Sequence, residues 1–379
     1  MSYQLSNTDA RNLVLQQHRL GVSAATDEVL QNLGYIQIDT LSVSARAQHH
    51  TVFSRNTNYQ QSELNDLVKS RKAYEYWSHA ASYLPIGDYR FSLFRKQQFK
   101  NGEQHWFKKD KKTMQYVLDR IKAEGPLQSK DFKHHEKSKE WYDWKPSKVA
   151  LEQLFMEGKL MVTERVNFQK VYDLTERVLP ADVDTESPTI NEFCIHLIDR
   201  TIQSHGLVTE KEIGYLRKGI KPVLADALAK KVKSEELVEV KIEGIKAIYY
   251  SKKELVENLQ AEKSAVYILN PFDNLVIQRS RLKTVFNFDY QIECYVPEPK
   301  RKFGYYCLPI LYGNRFIGRL DPKADRKTGV FHVKKLWFED GFVPSDDFVD
   351  QFRIQLKELA SFCGCSVLRM GKELKQCIS

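Results

Sequence analysis

Apolar and polar positions alternate across Gly34-Tyr-Ile-Gln-Ile-Asp-Thr-Leu41, and this period of two predicts a strand over Tyr35–Asp39. In an extended chain Ile36 and Ile38 share one face, while Gln37 and Asp39 share the other. The polar face then sets an amide beside a carboxylate, a pair able to orient a water molecule and take its proton. An amphipathic edge strand with two solvated polar residues carries the same pattern, so the pair is a candidate that the rest of the chain must decide.

Further along, the apolar period changes to that of helices. Met114–Ala123 has helical spacing and is stopped by Glu124-Gly125-Pro126-Leu127; Ser129–Phe132 begins a second, short piece. Pro146 occupies a first-turn position before an amphipathic helix over Ser147–Glu157, with Val149, Leu151, Leu154 and Phe155 on its buried side. Two strand-like runs follow, Leu160–Val166 and Lys170–Thr175, joined by Asn167-Phe168-Gln169. Helix, short helix, helix and hairpin is the order of a winged helix.

That order returns about eighty residues later, an internal repeat: Ile190–Ser204, a turn at His205–Thr209, Ile220–Val232, then Leu237–Ile242 and Ala247–Ser251 across Glu243-Gly244. A less regular copy opens the chain, with helices at Thr8–Arg19 and Ala25–Leu33 and strand-like runs at Tyr35–Asp39 and Thr51–Phe53. Beyond Ser264 the texture turns to β, with strand candidates Val266–Leu269, Gln291–Val296, Tyr305–Leu311, Arg315–Leu320 and Gly329–Trp337, then a helix over Ser345–Phe362 and a strand over Ser366–Arg369. Gly313-Asn314 between apolar runs marks a hairpin. The predicted class is α+β: tandem winged-helix domains followed by a small C-terminal β-barrel with a terminal helix. Its segments are 1–95, a catalytic region with the Gln-Ile-Asp motif; 96–182, a second winged helix with a basic connector; 183–262, a third winged helix; and 263–379, barrel and helix.

A chain of 379 residues exceeds one ordinary core, and 42% hydrophobic residues suffice to fill several. The formal charge of +9 favours a polyanionic partner. No apolar run approaches the roughly 20 residues of a membrane span, and Met1–Ala10 is polar without a signal-peptide core, so the expectation is a cytoplasmic protein with no membrane partner. Six cysteines without paired metal-ligand spacing predict neither a disulfide framework nor a metal site. His134 and His135 sit in a lysine-rich run that reads as solvated loop.

The excess charge is concentrated in Arg95–Lys148, where lysines interleave with His105-Trp106-Phe107, Trp141-Tyr142 and Trp144. Lys108, Lys109, Lys111 and Lys112 are candidates for phosphate contact, and the tryptophans serve equally well as anchors of a connector. Lys300-Arg301-Lys302 is either a second phosphate contact or a charged hairpin tip. Arg46–Arg55, which contains His49, His50 and Arg55, has the composition of a hairpin that meets DNA and equally that of a surface loop with an edge strand.

With these words assembled, the chain resembles the AlkZ-like family of bacterial DNA glycosylases, in its YcaQ-type branch. The resemblance rests on Tyr35-Ile-Gln-Ile-Asp39, Tyr76-Trp-Ser-His79 through Leu84-Pro85, and Trp141-Tyr-Asp-Trp-Lys-Pro-Ser-Lys148. It continues through Val171–Pro180, Asn270-Pro-Phe-Asp-Asn-Leu275 and Gly318-Arg-Leu-Asp-Pro-Lys-Ala-Asp-Arg326, nearly the whole chain. It implies tandem winged helices, a C-terminal barrel, hydrolysis of the N-glycosidic bond of N7-alkylguanine, and unhooking of cross-links joined through N7. The family's motif of Gln, an apolar residue, then Gln or Asp falls on Gln37, Ile38 and Asp39; its DNA-inserting hairpin corresponds to about Ala45–Arg55. His79 is a candidate neighbour of the active site, although Ala80 stands where many relatives have an acidic residue. The bacterial resemblance also implies association with the nucleoid.

The chemistry this predicts is simple. N7 alkylation makes guanine a cationic leaving group, so one water-activating carboxylate can suffice where sugar hydrolases use two. Asp39 is then general base and electrostatic stabiliser, Gln37 positions water, and no lysine is placed for a Schiff base. We expect a monofunctional, monomeric DNA glycosylase that needs no metal or organic cofactor and acts on double-stranded DNA. The alternative is a non-enzymatic winged-helix regulator, which would not require Gln37 and Asp39. A nuclease would need clustered carboxylates for metal ions, and only Asp182 and Asp184 lie close together.

Overall fold

The computed structural model describes residues 2–102, 108–135, 146–261 and 264–371; His105-Trp106-Phe107, Trp141-Tyr142 and Trp144 lie outside the described residues. The chain divides into two compact units, one of residues 1–59 with 197–379 and the other of residues 60–196. The segment 1–95 therefore contributes to both.

The first unit joins the two ends of the chain. Ser2–Leu5 forms a strand that lies parallel to Val238–Ile242, with Ser2 opposite Glu239 and Leu5 opposite Ile242, and Val238–Ile242 pairs antiparallel with Ile245–Ser251. The sequence pattern does not reveal this first strand, because four residues are too few for a period and the partner lies over 200 residues away. Helices Asn7–His18 and Thr26–Leu33 follow. The Ser6 hydroxyl caps the first, and Gly34, at φ 73°, closes the second by donating its N–H to Leu30 O at 2.9 Å. Leu13 and Val14 of the first helix share one apolar core with Val240, Tyr249, Leu275 and Phe288.

The helices Ile190–His205 and Lys221–Lys233 and the hairpin after them fall close to their expected places. The C-terminal strands form a five-stranded sheet in the order Val266–Ile268, Leu308–Tyr312, Arg315–Asp325, Val330–Phe338, Val367–Met370. Its expected Gly313-Asn314 hairpin is present, with Tyr312 opposite Arg315. The two outer strands are not paired with each other among the described residues. Gln291–Val296, expected as a strand, is irregular instead. The Glu293 carboxylate accepts the N–H groups of Lys302, Phe303 and Gly304 at 2.9, 2.8 and 2.9 Å, which folds the segment into a closed loop and removes it from the sheet.

The second unit has a helix at Lys111–Glu124, a short strand at Leu127–Gln128, a 3-10 turn, a helix at Pro146–Met156 and the hairpin Leu160–Val166 with Gln169–Leu174. This is the order read from the sequence. Asn167 and Phe168 both take positive φ, as a two-residue hairpin turn requires. A further hairpin, Ala73–Trp77 with Ala81–Pro85, packs its Tyr74 and Tyr76 into the same core as Val117, Leu154 and Leu160. Arg165 ties the two hairpins together through a double contact to Glu75 at 2.6 and 2.8 Å. Among the described residues no helix is long and apolar enough to cross a membrane.

Arg55 is the central brace of the first unit. Its side chain is 1% exposed and meets Asp273, which is 0% exposed, through two bonds of 2.8 and 3.0 Å. It also donates to His18 O and Thr51 O, each at 2.9 Å, and to His18 Nδ1 at 3.4 Å. The last contact makes His18 Nδ1 an acceptor, so its Nε2–H donates to His205 Nδ1 at 2.9 Å. Burial holds both imidazoles well below the usual histidine range, neutral as that chain of donors requires. Replacing Arg55 by Met leaves Asp273 as an uncompensated buried charge and should remove about 3–5 kcal/mol of stability. Denaturant unfolding of the purified variant measures this, and an unchanged midpoint would show that the pair contributes nothing.

Candidate active site and nucleic-acid contacts

Only Ile36–Gln37 is a strand, and the chain turns at Asp39. The turn is made by Asp39 itself, whose Oδ1 accepts the N–H of Leu41 at 2.7 Å, a local bond that competes with strand pairing. Ile36, Gln37 and Ile38 are all buried, Gln37 at 8% exposure. The simple division into a buried and an open face is therefore corrected: both faces of the strand are covered, and only Asp39 emerges, half-buried. Burial pushes its carboxyl above the ordinary aspartate value, and the Leu41 N–H offsets this in part. Oδ2 makes no hydrogen bond to any described residue.

Three distant segments hold this turn. Gln48, 0% exposed, accepts the Asp39 N–H through Oε1 at 3.1 Å. Asn274 donates from Nδ2 to Tyr35 O at 3.0 Å, two residues before Gln37. Arg326 donates to the carbonyls of Ser42 and Ser44, and Ala324 N–H donates to Val43 O at 2.9 Å. None of Gln48, Asn274 and Arg326 is marked for this role by its residue type. The words Asn270–Leu275 and Gly318–Arg326 are the available signal, and their function here is to brace the Gln37–Asp39 turn.

The expected DNA-meeting hairpin over Ala45–Arg55 is a helix, Ala47–Phe53. Its apolar residues at Ala47, Val52 and Phe53 are buried, and Phe53 stacks on Phe362 at 4.2 Å between ring centroids. His50 is buried and donates through Nε2 to Ile268 O at 2.9 Å, and Arg55 is committed to Asp273. These two are corrected from DNA contacts to internal braces. His49 is partly exposed, with Nδ1 at 2.7 Å from the Tyr59 hydroxyl, and burial followed by the Arg46 charge lowers it to about 4. It is thus neutral near pH 7 and does not supply a charge to a phosphate.

Burial raises Cys294, Tyr295 and Tyr306, and the negative charge of Asp39 raises each of them further. Tyr295 is 80% exposed, whereas Tyr306 is 0% exposed.

His79 and the lysines belong to the other unit. His79 follows the strand Ala73–Trp77 in the turn where Ser78 N–H donates to Ala80 O at 2.9 Å. Lys109 is engaged internally, at 2.7 Å from Glu157 and 2.8 Å from Phe99 O, which corrects its reading as a phosphate contact. Lys108, Lys111 and Lys112 are exposed. Lys111 and Lys112 stand in the first turn of their helix, where the macrodipole disfavours cations. Asp184 of the acidic pair is occupied by Arg90 at 3.2 Å. Among the described residues no group of three or more His, Cys, Asp or Glu is placed to hold a metal ion.

Residues 30–362 match a family model described as DNA glycosylase AlkZ-like. The fold is similar to that of the Streptomyces sahachiroi DNA glycosylase AlkZ, with a TM-score of 0.67 at 17% identity over 97% of this chain and 100% of that one.

A carboxylate that must be ionised to take a proton loses activity as pH falls through its own pKa. Because burial raises Asp39, the acid limb of the rate profile should lie above the ordinary aspartate value, with activity present on its alkaline side. Asp39→Asn should lower the plateau by roughly 10²–10⁴-fold and abolish that limb while DNA affinity stays nearly constant. Single-turnover rates across pH measure this; a variant at wild-type rate would take Asp39 out of the chemistry.

Proposed function

Because the chain belongs to the AlkZ-like DNA glycosylase family and is a DNA N-glycosylase, we propose that its substrate is duplex DNA carrying cationic N7-alkylguanine. In this reading the enzyme is monofunctional and monomeric, and it also unhooks interstrand cross-links joined through N7. The observation that carries it is the half-buried Asp39, held by one oxygen and open at the other, on a turn braced from three segments. Gln37 positions water for it.

Asp39 takes a proton from water as the water oxygen bonds to C1′. The electron pair of the breaking N-glycosidic bond goes to the base, which is already positive and so departs neutral. No general acid is required at the leaving group. The carboxylate also stabilises the positive charge that develops on the sugar. The three helix-and-hairpin stretches are read as winged helices, the first catalytic, and the C-terminal sheet as a small barrel. The recurring helix, helix, hairpin order supports that reading.

Substrate choice tests the leaving-group argument. Uracil and 8-oxoguanine depart as poor anions, so the enzyme should release N7-methylguanine from duplex DNA in the presence of EDTA and leave those two bases in place. Equal single-turnover release of uracil and N7-methylguanine would refute the argument, and no release of any base would favour a binding protein.

Binding is assigned to the exposed Lys108, Lys111 and Lys112. Changing all three to Ala should weaken damaged and undamaged duplex alike and flatten the salt dependence by about one unit for each phosphate that is no longer neutralised. Excision at saturating enzyme should persist. An unchanged salt slope, read by titration at several salt concentrations, would place the DNA path elsewhere.

A further inference from the structure

A single exposed leucine carries no meaning by itself, because much of any protein surface is apolar. Leu216 differs in two respects. It is 68% exposed, and its backbone takes φ 55°, the left-handed region that L side chains avoid. Among the described residues no other exposed large hydrophobic side chain stands on such a backbone. Leu216 occupies the third position of a turn in which Arg217 N–H donates to Gly214 O at 3.0 Å, and positive φ there favours glycine or asparagine. Three residues later the chain does use glycine for that conformation, at Gly219 with φ 75°. The fold thus holds a large apolar side chain out in solvent at a place where glycine would be less strained.

The turn has a firm base and a basic surround. It joins the short helix Glu210–Ile213 to the helix Lys221–Lys233, the order of a helix-turn-helix, whose second helix meets DNA through its N-terminal end. Thr209 and Glu212 cap the short helix reciprocally; Glu212 Oε1 accepts from Arg281 Nε at 2.9 Å, and Glu212 O accepts from Gln278 Nε2 at 3.4 Å. Gln278 and Arg281 follow Asn274, whose Nδ2 donates to Tyr35 O before the Gln37–Asp39 turn. One segment, 274–281, therefore supports both turns. Lys211, Lys218 and Lys221 are exposed and form no ion pair with any described residue. The Glu212 carboxylate is engaged by Arg281 and Thr209, which leaves Glu210 as the one other acid between residues 209 and 225.

We propose that Leu216 is a wedge that enters the base stack of duplex DNA, with Lys211, Lys218 and Lys221 on the flanking phosphates. The proposal rests on the reading of duplex DNA as the substrate. An apolar side chain inserted between base pairs unstacks them, leaves water itself and opens the duplex locally. A carboxylate does not reach an N-glycosidic bond inside a closed stack, so a wedge anchored to the support of the Asp39 turn lowers the barrier to presenting C1′. A leucine on a loose loop would fold back onto the protein. The capped helix and the Arg281 bond keep this one out.

Leu216→Gly removes the wedge and relieves the backbone, so it separates function from stability. The probe is a duplex with one N7-methylguanine beside a 2-aminopurine, whose fluorescence rises when it is unstacked. With the wild type, binding should raise the fluorescence before the base is released. In Leu216→Gly the rise should be lost and single-turnover release at saturating enzyme should fall roughly 10–10²-fold, while the melting temperature stays level or increases. Leu216→Met, which keeps an apolar wedge, should retain both signals. A retained fluorescence rise or a wild-type rate in Leu216→Gly would overturn the proposal, as would a melting temperature that falls with the rate. No rise while the wild type binds the duplex and releases its base would overturn it as well. Failure of the underlying reading looks different: the wild type would release no base from the duplex, whatever the fluorescence.

Discussion

A guanidinium sealed against a carboxylate organises the larger unit. Arg55 lies just past the helix that carries Gln48, and Asp273 caps the helix that carries Asn274. The bond between them therefore fixes the distance between two of the braces on the Gln37–Asp39 turn. Both ions are fully buried, which is costly unless every donor and acceptor is used. Here nearly all are: Asp273 additionally accepts the Leu275 N–H at 2.9 Å, and Arg55 spreads its remaining donors over His18 and Thr51. Geometry of this kind confers register more than net stability, and register is what an active-site turn requires.

The electrostatics of the turn balance two demands. A general base has to lose its proton near neutral pH, which burial opposes, and it has to retain enough basicity to accept one from water. In the role proposed for it Asp39 would meet both by being half covered, with one oxygen bonded to a backbone N–H and the other unbonded. Cys294, Tyr295 and Tyr306, the groups on which its charge acts, are raised first by burial and then by that charge.

Much of the regular structure is legible in the chain because helices and hairpins are local. The turn at Asn167-Phe168, the hairpin at Gly313-Asn314 and the helix after Pro146 lie where their periods and turn residues put them. The errors are of another kind. Arg46–Arg55 has a charged and polar look that suggests a surface, yet Arg55, His50 and His49 are taken up by Asp273, Ile268 O and Tyr59, partners that are distant in sequence or carry no local mark. Gln291–Val296 has strand propensity that one carboxylate, Glu293, overrides. Gln37 and Asp39 stand out in the sequence as polar residues in an alternating run, but Gln48, Asn274 and Arg326, which hold their turn, do not, because their partners lie outside the local pattern.

The braces on the Asp39 turn come from very far along the chain. Asn274 is 239 residues beyond Tyr35, and Arg326 is 282 beyond Ser44. Loop closure over such lengths has to occur before these bonds can contribute. During synthesis at about 5–20 residues per second, the segment holding Gln37 and Asp39 leaves the ribosome tens of seconds before its supports are made. A growing polypeptide therefore displays the motif without the scaffold that orders it. The carboxylate of Asp39 thus becomes ordered late, once the segments that carry Asn274 and Arg326 have been made.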